Sequence, residues 1–417
     1  MRIFLVSYFA PSPVGHGGLH RTLQVQHDAR ALVGQPNVAS INVESWQQAR
    51  QPAQPGSRQR AALLVQKCRG VRRRLRKWGT RLALVRENPF NLFSVDRYPT
   101  AIPFSTRLSV EPEFVAHYAE LVTKDARPSV CIVEHAVFGE IVALNSRLGI
   151  PTISAFQNLE ALDATSFDWR RRQTVYKIMA DLGNEIRLMA QCAERLTISK
   201  VEAGFVGGLG LECHYYPYVP VGLLRQSLDA TRRHRANHSA EPGLIVLLGS
   251  AQHGVTGESM RWFAGAALEC GLPDGVRVVA VGGDTDKLLP PGKAVRGLEL
   301  RGWLEQAELD ALLERAAAAV IPQRLGFGAL TRLPELACAG VPVITFSHPS
   351  YALNPPPGLR TVEQNWNDVC AAMKDCLRST AAPDPDEYER WEAQQPRPMA
   401  SAVRRLAPAD ELHGGPT

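Results

Sequence analysis

No two of the eight cysteines (Cys68, Cys131, Cys192, Cys213, Cys270, Cys338, Cys370 and Cys376) stand in C-x-x-C spacing. That excludes the common zinc and dithiol motifs and argues against a disulfide framework, so a reducing, cytoplasmic setting is expected. No apolar run approaches the roughly 20 residues that a bilayer-spanning helix needs, which limits any membrane contact to the periphery. The opening "MRIFLVSYFAP" is too short and reaches Pro11 too soon for a signal peptide, and it has no small-residue cleavage site. It reads as a first buried strand. Aromatics are few, at 7%, beside 45% hydrophobic and 21% charged residues, the balance of a soluble globular protein. With 417 residues the chain exceeds one core, and two domains of about 200 residues each are expected. Metal-ligating pairs are also scarce. Asp284 and Asp286 sit in a polar turn, and Asp384 and Asp386 are interrupted by Pro385, so no metal is expected.

What is abundant is positive charge in one place. Arg58, Arg60, Lys67, Arg69, Arg72, Arg73, Arg74, Arg76, Lys77, Arg81 and Arg86 follow one another with no intervening acid, so the net charge of +6 is local and the remainder of the chain is negative. Val65, Cys68, Val71, Leu75, Trp78, Leu82 and Val85 recur at helical spacing among them, which predicts a basic amphipathic insertion over about 58–86. Such a helix suits the anionic face of a membrane, where each cation contributes on the order of 1 kcal/mol. The plainer reading is a stripe packed on its own domain with solvated arginines. Nucleic acid ranks last as a partner, because no zinc-finger or aromatic-interleaved motif accompanies the charge.

Strand-type and helix-type segments alternate twice. "RIFLVSYF", "VASINV", "SVCIVEH", "PTISAF" and "RLTIS" form the first series, and "GLIVLLG", "VRVVAVGG", "AAVIP" and "VPVITF" the second. The expected fold class is α/β, two facing Rossmann-like doubly wound domains with a cleft between them. We assign 1–225 to an acceptor-side domain, 226–243 to a polar linker without a hydrophobic period, 244–380 to a donor domain and 381–417 to a helical tail.

Between the last two strands lies "IPQRLGFGALTRLPELACAGVPVITF". Gly326 and Gly328 let backbone approach a ligand, and Thr331 is placed to cap a helix that begins before Pro334. Phosphate is favoured at such a helix start, with Arg324 and Arg332 adding charge-assisted bonds. Glu335, one turn in, presents a carboxylate to a vicinal diol such as ribose. Phosphate plus diol describes a nucleotide. Glu134 and His135 follow a strand at the carboxyl edge where catalytic groups gather, and His135 is placed to position a sugar or acceptor.

The ordered set Pro322, Arg324, Gly326, Gly328, Arg332, Glu335, Ala337, Gly340, Pro342 and Val343 resembles the donor-binding segment of family 4 glycosyltransferases, which are retaining enzymes of the GT-B fold. "LLGSAQHGVTGESMRWF" and "RGWLEQAELDALLERAAAAVIP" resemble two further segments of that family, Gly17, Gly18 and Arg21 its glycine-rich loop, and "FQNLE" its H-N-x-E segment with Gln157 in place of His. The resemblance implies transfer of a sugar from a nucleotide-sugar donor to a glycan, lipid-linked or polysaccharide-precursor acceptor. Arg332 and Arg324 would neutralise the departing diphosphate, Ser250 and the N–H groups near Gly249 would assist, and Glu335 would hold the ribose. Gly17 and Gly18, with Glu134, would line the donor phosphates or the acceptor, near Asn158 and Glu160. Where the family's E-x7-E members carry a first acid, this chain has Phe327, which removes that acid's contact to the sugar. Two other readings are kept, a nucleotide-sugar 2-epimerase and a non-catalytic nucleotide-binding or membrane-scaffold protein. The bland role of each residue is a surface arginine, a first-turn glutamate, a tight turn or a structural histidine.

The membrane reading of the basic stretch is directly testable. Replacing Arg72, Arg73, Arg74 and Arg76 with Gln is expected to reduce co-sedimentation with anionic liposomes; unaltered sedimentation rejects it.

Overall fold

A computed structural model describes residues 1–50, 110–162, 175–252, 254–324, 328–347, 351–378, 384 and 386–407. The basic stretch 58–86, Gly326 and Phe327 lie outside them.

The first lobe runs β1 (Arg2–Ser7), α1 (Gly17–Val33), β2 (Val38–Asn42), α2 (Val43–Arg50), α3 (Pro112–Lys124), β3 (Ser129–Val133), α4 (Gly139–Leu148) and β4 (Thr152–Phe156). It continues through α5 (Val175–Gln191), β5 (Glu194–Thr197), α6 (Lys200–Gly208) and β6 (His214–Tyr215). Every strand pair is parallel, in the order β2-β1-β3-β4-β5-β6. Such a sheet is covered on both faces, which is why its strands read as unbroken apolar runs. Alternate residues still separate. Phe4, Val6, Cys131 and Val133 enter one core, and Ile3, Leu5, Val130 and Ile132 the other.

The second lobe runs α7 (Gly222–Asn237), β7 (Glu241–Leu248), α8 (Gly254–Cys270), β8 (Arg277–Val281), β9 (Leu298–Gly302), α9 (Gln306–Arg315), β10 (Ala316–Ile321) and α10 (Arg332–Cys338). It is completed by β11 (Val343–Phe346), β12 (Leu359–Val362) and α11 (Trp366–Asp375). Its sheet is again parallel, in the order β12-β11-β10-β7-β8-β9. Both sheets therefore have a point where successive connections run in opposite directions, between β1 and β3 and between β7 and β10. Loops diverge there and leave a crevice at the carboxyl ends of the strands.

The segment read as a linker over 226–243, for its lack of a hydrophobic period, is mostly helix: α7 ends at Asn237 and β7 begins at Glu241. Its inward positions are Leu224, Leu228, Thr231, Arg232 and Arg235, a helical period carried largely by polar residues. Arg232 meets Asp229 and Glu389, and the Arg235 guanidinium donates to the carbonyls of Leu313 (2.7 Å), Ala316 (2.6 Å) and Gly340 (2.8 Å). Those carbonyls lie at the ends of α9 and α10, where no helical donor remains. Burial pulls the Arg235 pKa down to about 10, which leaves it charged at neutral pH.

After α12 (Glu387–Ala393), helix α13 (Pro398–Leu406) returns to the first lobe. Met399, Ala402 and Val403 join the core beneath Ile3, Leu5 and Ile153, and Arg405 forks onto Glu194 at 2.6 and 2.7 Å. The chain thus clamps its own two lobes.

Arg235→Ala leaves three buried carbonyls without their donor and is expected to cost on the order of 2–3 kcal/mol in urea unfolding. Arg235→Lys should recover only part, because one ammonium cannot span the same carbonyls as a guanidinium fork. A loss under about 1 kcal/mol in the alanine variant would contradict this capping role.

Candidate functional site

On the second lobe, the β7–β10 crevice is built around Arg332. Its Nη1 donates to the Leu248 carbonyl at 2.8 Å and its Nη2 reaches Thr256 Oγ1 at 3.3 Å, which holds the guanidinium at the carboxyl end of β7. Gly249 makes this possible, since a Cβ there would lie 2.6 Å from Arg332 Nη1 and 2.7 Å from Thr256 Cγ2. The loop Gly249–Ala251 is stitched to the next strand: Gly249 N–H donates to Val281 O (3.1 Å) and Ala251 N–H to Gly283 O (2.7 Å). The Gly249 N–H expected to bind phosphate is therefore committed to the sheet. Ser250 lies between these two anchors.

Arg324 leaves β10 and crosses the face of Trp262, its guanidinium carbon 5.1 Å from the ring centroid. Its backbone N–H bonds Ser259 Oγ at 3.1 Å, and its Nε is buried without a partner. Gly328 lies on the loop that leads into α10. Thr331 does not act as the expected cap: its backbone is already helical (φ −58, ψ −28) and its side chain makes no cap bond. It faces the other lobe instead.

On the first lobe, α1 starts at the β1–β3 crevice. His16 caps it, its Nδ1 accepting from the Gly18 N–H at 3.2 Å. Gly17 and Gly18 are places of close approach. A Cβ on Gly17 would lie 2.2 Å from Thr331 Oγ1 across the cleft, and one on Gly18 3.0 Å from Gln157 Oε1. Arg21 is structural: fully buried, it lies over the Tyr216 ring at 3.9 Å and donates to the carbonyls of Tyr216 (2.9 Å) and Pro217 (3.2 Å).

Glu134 stands at the end of β3 as expected, but it turns inward rather than lining the cleft. Its Oε2 accepts from Thr22 Oγ1 (2.5 Å) and Gln157 Nε2 (3.0 Å), and the same Gln157 amide donates to Gly18 O (3.1 Å). The carboxyl thereby ties the start of α1 to the loop after β4. Burial pushes its pKa up to about 7, against hydrogen bonds that pull the other way. His135 lies among Tyr8, Phe9 and Phe138 with centroid distances of 6.4, 5.6 and 6.2 Å, and its Nδ1 is buried without a partner. Burial lowers its pKa to about 4, so the ring is neutral near pH 7. Asn158 and Glu160 ride on the loop after β4, which the buried Glu202 and Glu185 hold through the N–H groups of Leu159 (2.8 Å) and Ala161 (3.1 Å).

The two halves meet at Glu335. Its Oε1 accepts from His20 Nδ1 at 2.8 Å and from the Tyr218 hydroxyl at 2.8 Å, both from before the second lobe's first helix, and its side chain is 14% exposed. His20 is 8% exposed. Neither His20 nor Tyr218 was singled out from sequence. The signals were present, a histidine one turn into the helix after a glycine pair and a tyrosine in an apolar connector that must bond its hydroxyl somewhere.

Asp284 of the first D-x-D pair is bound to Lys287 at 2.6 Å in its turn. Among the described residues, no group of three His, Cys, Asp or Glu could hold a metal ion, and no helix is long and apolar enough to cross a membrane. A separate concavity near Ser146, Gly149, Thr152 and Gln191 lies at the amino end of β4, the wrong end of a parallel sheet for ligand chemistry, and has no titratable cluster.

No family model matches the chain, and no curated protein matches it in sequence. Solved structures do match in fold. The sucrose-phosphate synthase of Thermosynechococcus elongatus superposes with a TM-score of 0.57 at 13% identity, covering 97% of each chain. Anabaena HepE in complex with UDP and glucose superposes with a TM-score of 0.54 at 11% identity, covering 99% of this chain and 100% of that one. The fold is GT-B. Its two lobes are the parallel sheets described above, and its cleft is the place where Gly17 meets Thr331 and His20 meets Glu335.

The buried Glu134 carboxyl sets a pH dependence. Its folded pKa of about 7 exceeds the ordinary 4.5, so its contribution to stability is complete below about pH 4.5 and is lost as pH rises through about 7. Glu134→Gln cannot ionise. Between pH 5 and 7, urea unfolding of the wild type should lose stability relative to that variant, and parallel curves would show that the carboxyl is not perturbed.

Proposed function

We propose that the protein is a glycosyltransferase that moves a sugar from a nucleotide-sugar donor to a glycan, lipid-linked or polysaccharide-precursor acceptor, with retention at the anomeric carbon. The observation that carries this reading is the placement, at one cleft, of the Arg332 guanidinium at the end of β7 and, one turn further along the same helix α10, of the Glu335 carboxylate met by His20 from the first lobe. The fold supports it, because a GT-B neighbour, HepE, is seen in complex with UDP and glucose.

In this reading the ribose hydroxyls bond Glu335, whose Oε2 is not used by His20 or Tyr218. The diphosphate lies against Arg332, Arg324 and Ser250. As the anomeric C–O bond breaks, its electron pair passes to the diphosphate oxygen, and cations already in place stabilise that charge without reorganising. The acceptor oxygen bonds the same face of the anomeric carbon, and its proton passes to the departing phosphate. The guanidinium groups supply the charge that a divalent ion would otherwise bring, so no metal is required. Neutral His135 is suited to hold a hydroxyl of the sugar or acceptor by a hydrogen bond and not to act as a proton donor. The loops carrying Gly17, Gly18 and Gly328 border the donor. The basic stretch 58–86 would bring the enzyme to the membrane face where a lipid-linked acceptor resides.

Calorimetry with UDP, ADP, GDP and their glucose conjugates tests the reading. Glu335→Ala should weaken the best-binding nucleotide about 10- to 100-fold, the worth of hydrogen bonds to a charged group. Undiminished binding contradicts the role of Glu335. Release of free nucleotide from the sugar conjugate with no acceptor present would instead favour the 2-epimerase reading.

A further inference from the structure

The His20 imidazole is fixed on one side only. Nδ1 is held by Glu335 at 2.8 Å, while Nε2 is buried and has no hydrogen-bond partner. A buried polar atom left in this way destabilises the fold unless something occupies its direction. Three neighbours indicate what that is. His20 lies in the first turn of α1, a 17-residue helix whose N-terminus abuts Thr331 of the facing lobe. The positive end of that helix is therefore turned to the cleft. The Glu335 carboxylate that orients the ring accepts His20 and Tyr218 on the same oxygen, so its second oxygen is open to a ribose hydroxyl beside the imidazole. Arg332 is one turn before Glu335 on α10, with its guanidinium at the end of β7. An anion bound by an arginine and an oriented histidine at the positive end of a helix, next to a diol, is the phosphate portion of a nucleotide.

We propose that His20 is a ligand of the donor diphosphate supplied by the first lobe: Glu335 aligns the ring, and Nε2–H donates to a phosphate oxygen. This deepens the nucleotide-sugar reading and rests on it. Burial alone would lower the pKa of His20, but the charge and hydrogen bond of Glu335 outweigh it and raise the pKa above 6.5, which keeps Nε2 a donor further toward neutral pH. Glu335 is the charged group that acts on its titration; Tyr218 shares that carboxylate, and His16 and Arg21 stand on or at the start of its own helix, His16 turned to the Gly18 N–H and Arg21 to the Tyr216 and Pro217 carbonyls. The contact forms only when the lobes meet, so it links donor binding to closure.

The test uses the nucleoside diphosphate, among UDP, ADP and GDP, that the wild type binds best, together with its parent nucleoside. In His20→Asn the amide occupies the Nδ1 position and keeps the bond to Glu335 but has nothing at Nε2. In His20→Gln the amide reaches the Nε2 position. Calorimetry should show His20→Asn binding the nucleoside as the wild type does and the diphosphate about tenfold more weakly, with His20→Gln recovering part of the loss. The wild-type advantage over His20→Asn should shrink as pH rises through the raised pKa of His20. Equal losses for nucleoside and diphosphate in His20→Asn, or no loss, overturn the proposal while leaving the nucleotide reading standing. Failure of the wild type to bind any of the three diphosphates overturns both.

Discussion

The Glu335 carboxylate takes two hydrogen bonds on a single oxygen, from His20 and from Tyr218, and so it is one of the points at which the two lobes hold one another. Bonds to an ionised group in a nearly dry place are worth more than neutral ones. Everything near the cleft is arranged to permit them. Gly17 has no side chain because Thr331 of the facing lobe occupies that space, and any Cβ would wedge the lobes apart. Helix α13, crossing back to the first sheet, holds the same closure from the other end of the chain.

A second regularity is the way arginines end secondary structures. Arg21 fills the carbonyls of Tyr216 and Pro217, Arg235 those of Leu313, Ala316 and Gly340, and Arg332 that of Leu248. In each case a planar fork of donors meets backbone carbonyls. Arg21 and Arg235 are held by several short bonds to the protein, although Arg21 Nε is buried without a partner. Arg332 has one short bond, to Leu248, and a long one to Thr256, and its charge stands at the crevice.

Some of this was legible in the residue order. The unbroken apolar strands of β1, β3, β7 and β10 announced parallel sheets, because strands covered on both faces lose polar alternation. Helix α7 was missed for the opposite reason. Its inward face presents Thr231, Arg232 and Arg235, so the period of 3.6 was present but not in hydrophobicity. Glu134 was placed at the right edge of the right sheet, yet only the packing of Thr22 and Gln157 around it shows that it braces the site instead of facing it.

The sequence by itself determined the two α/β halves and the local order of glycine, arginine and glutamate between β10 and β11, since these rest on short-range pattern and backbone sterics. Which groups those residues would meet was decided by tertiary structure alone. Glu335 finds His20 at a separation of 315 residues and Arg332 finds Leu248 at 84. A hydrogen bond depends on distance and angle in space, and no periodicity along the chain encodes either until both sheets have formed and their carboxyl edges face each other.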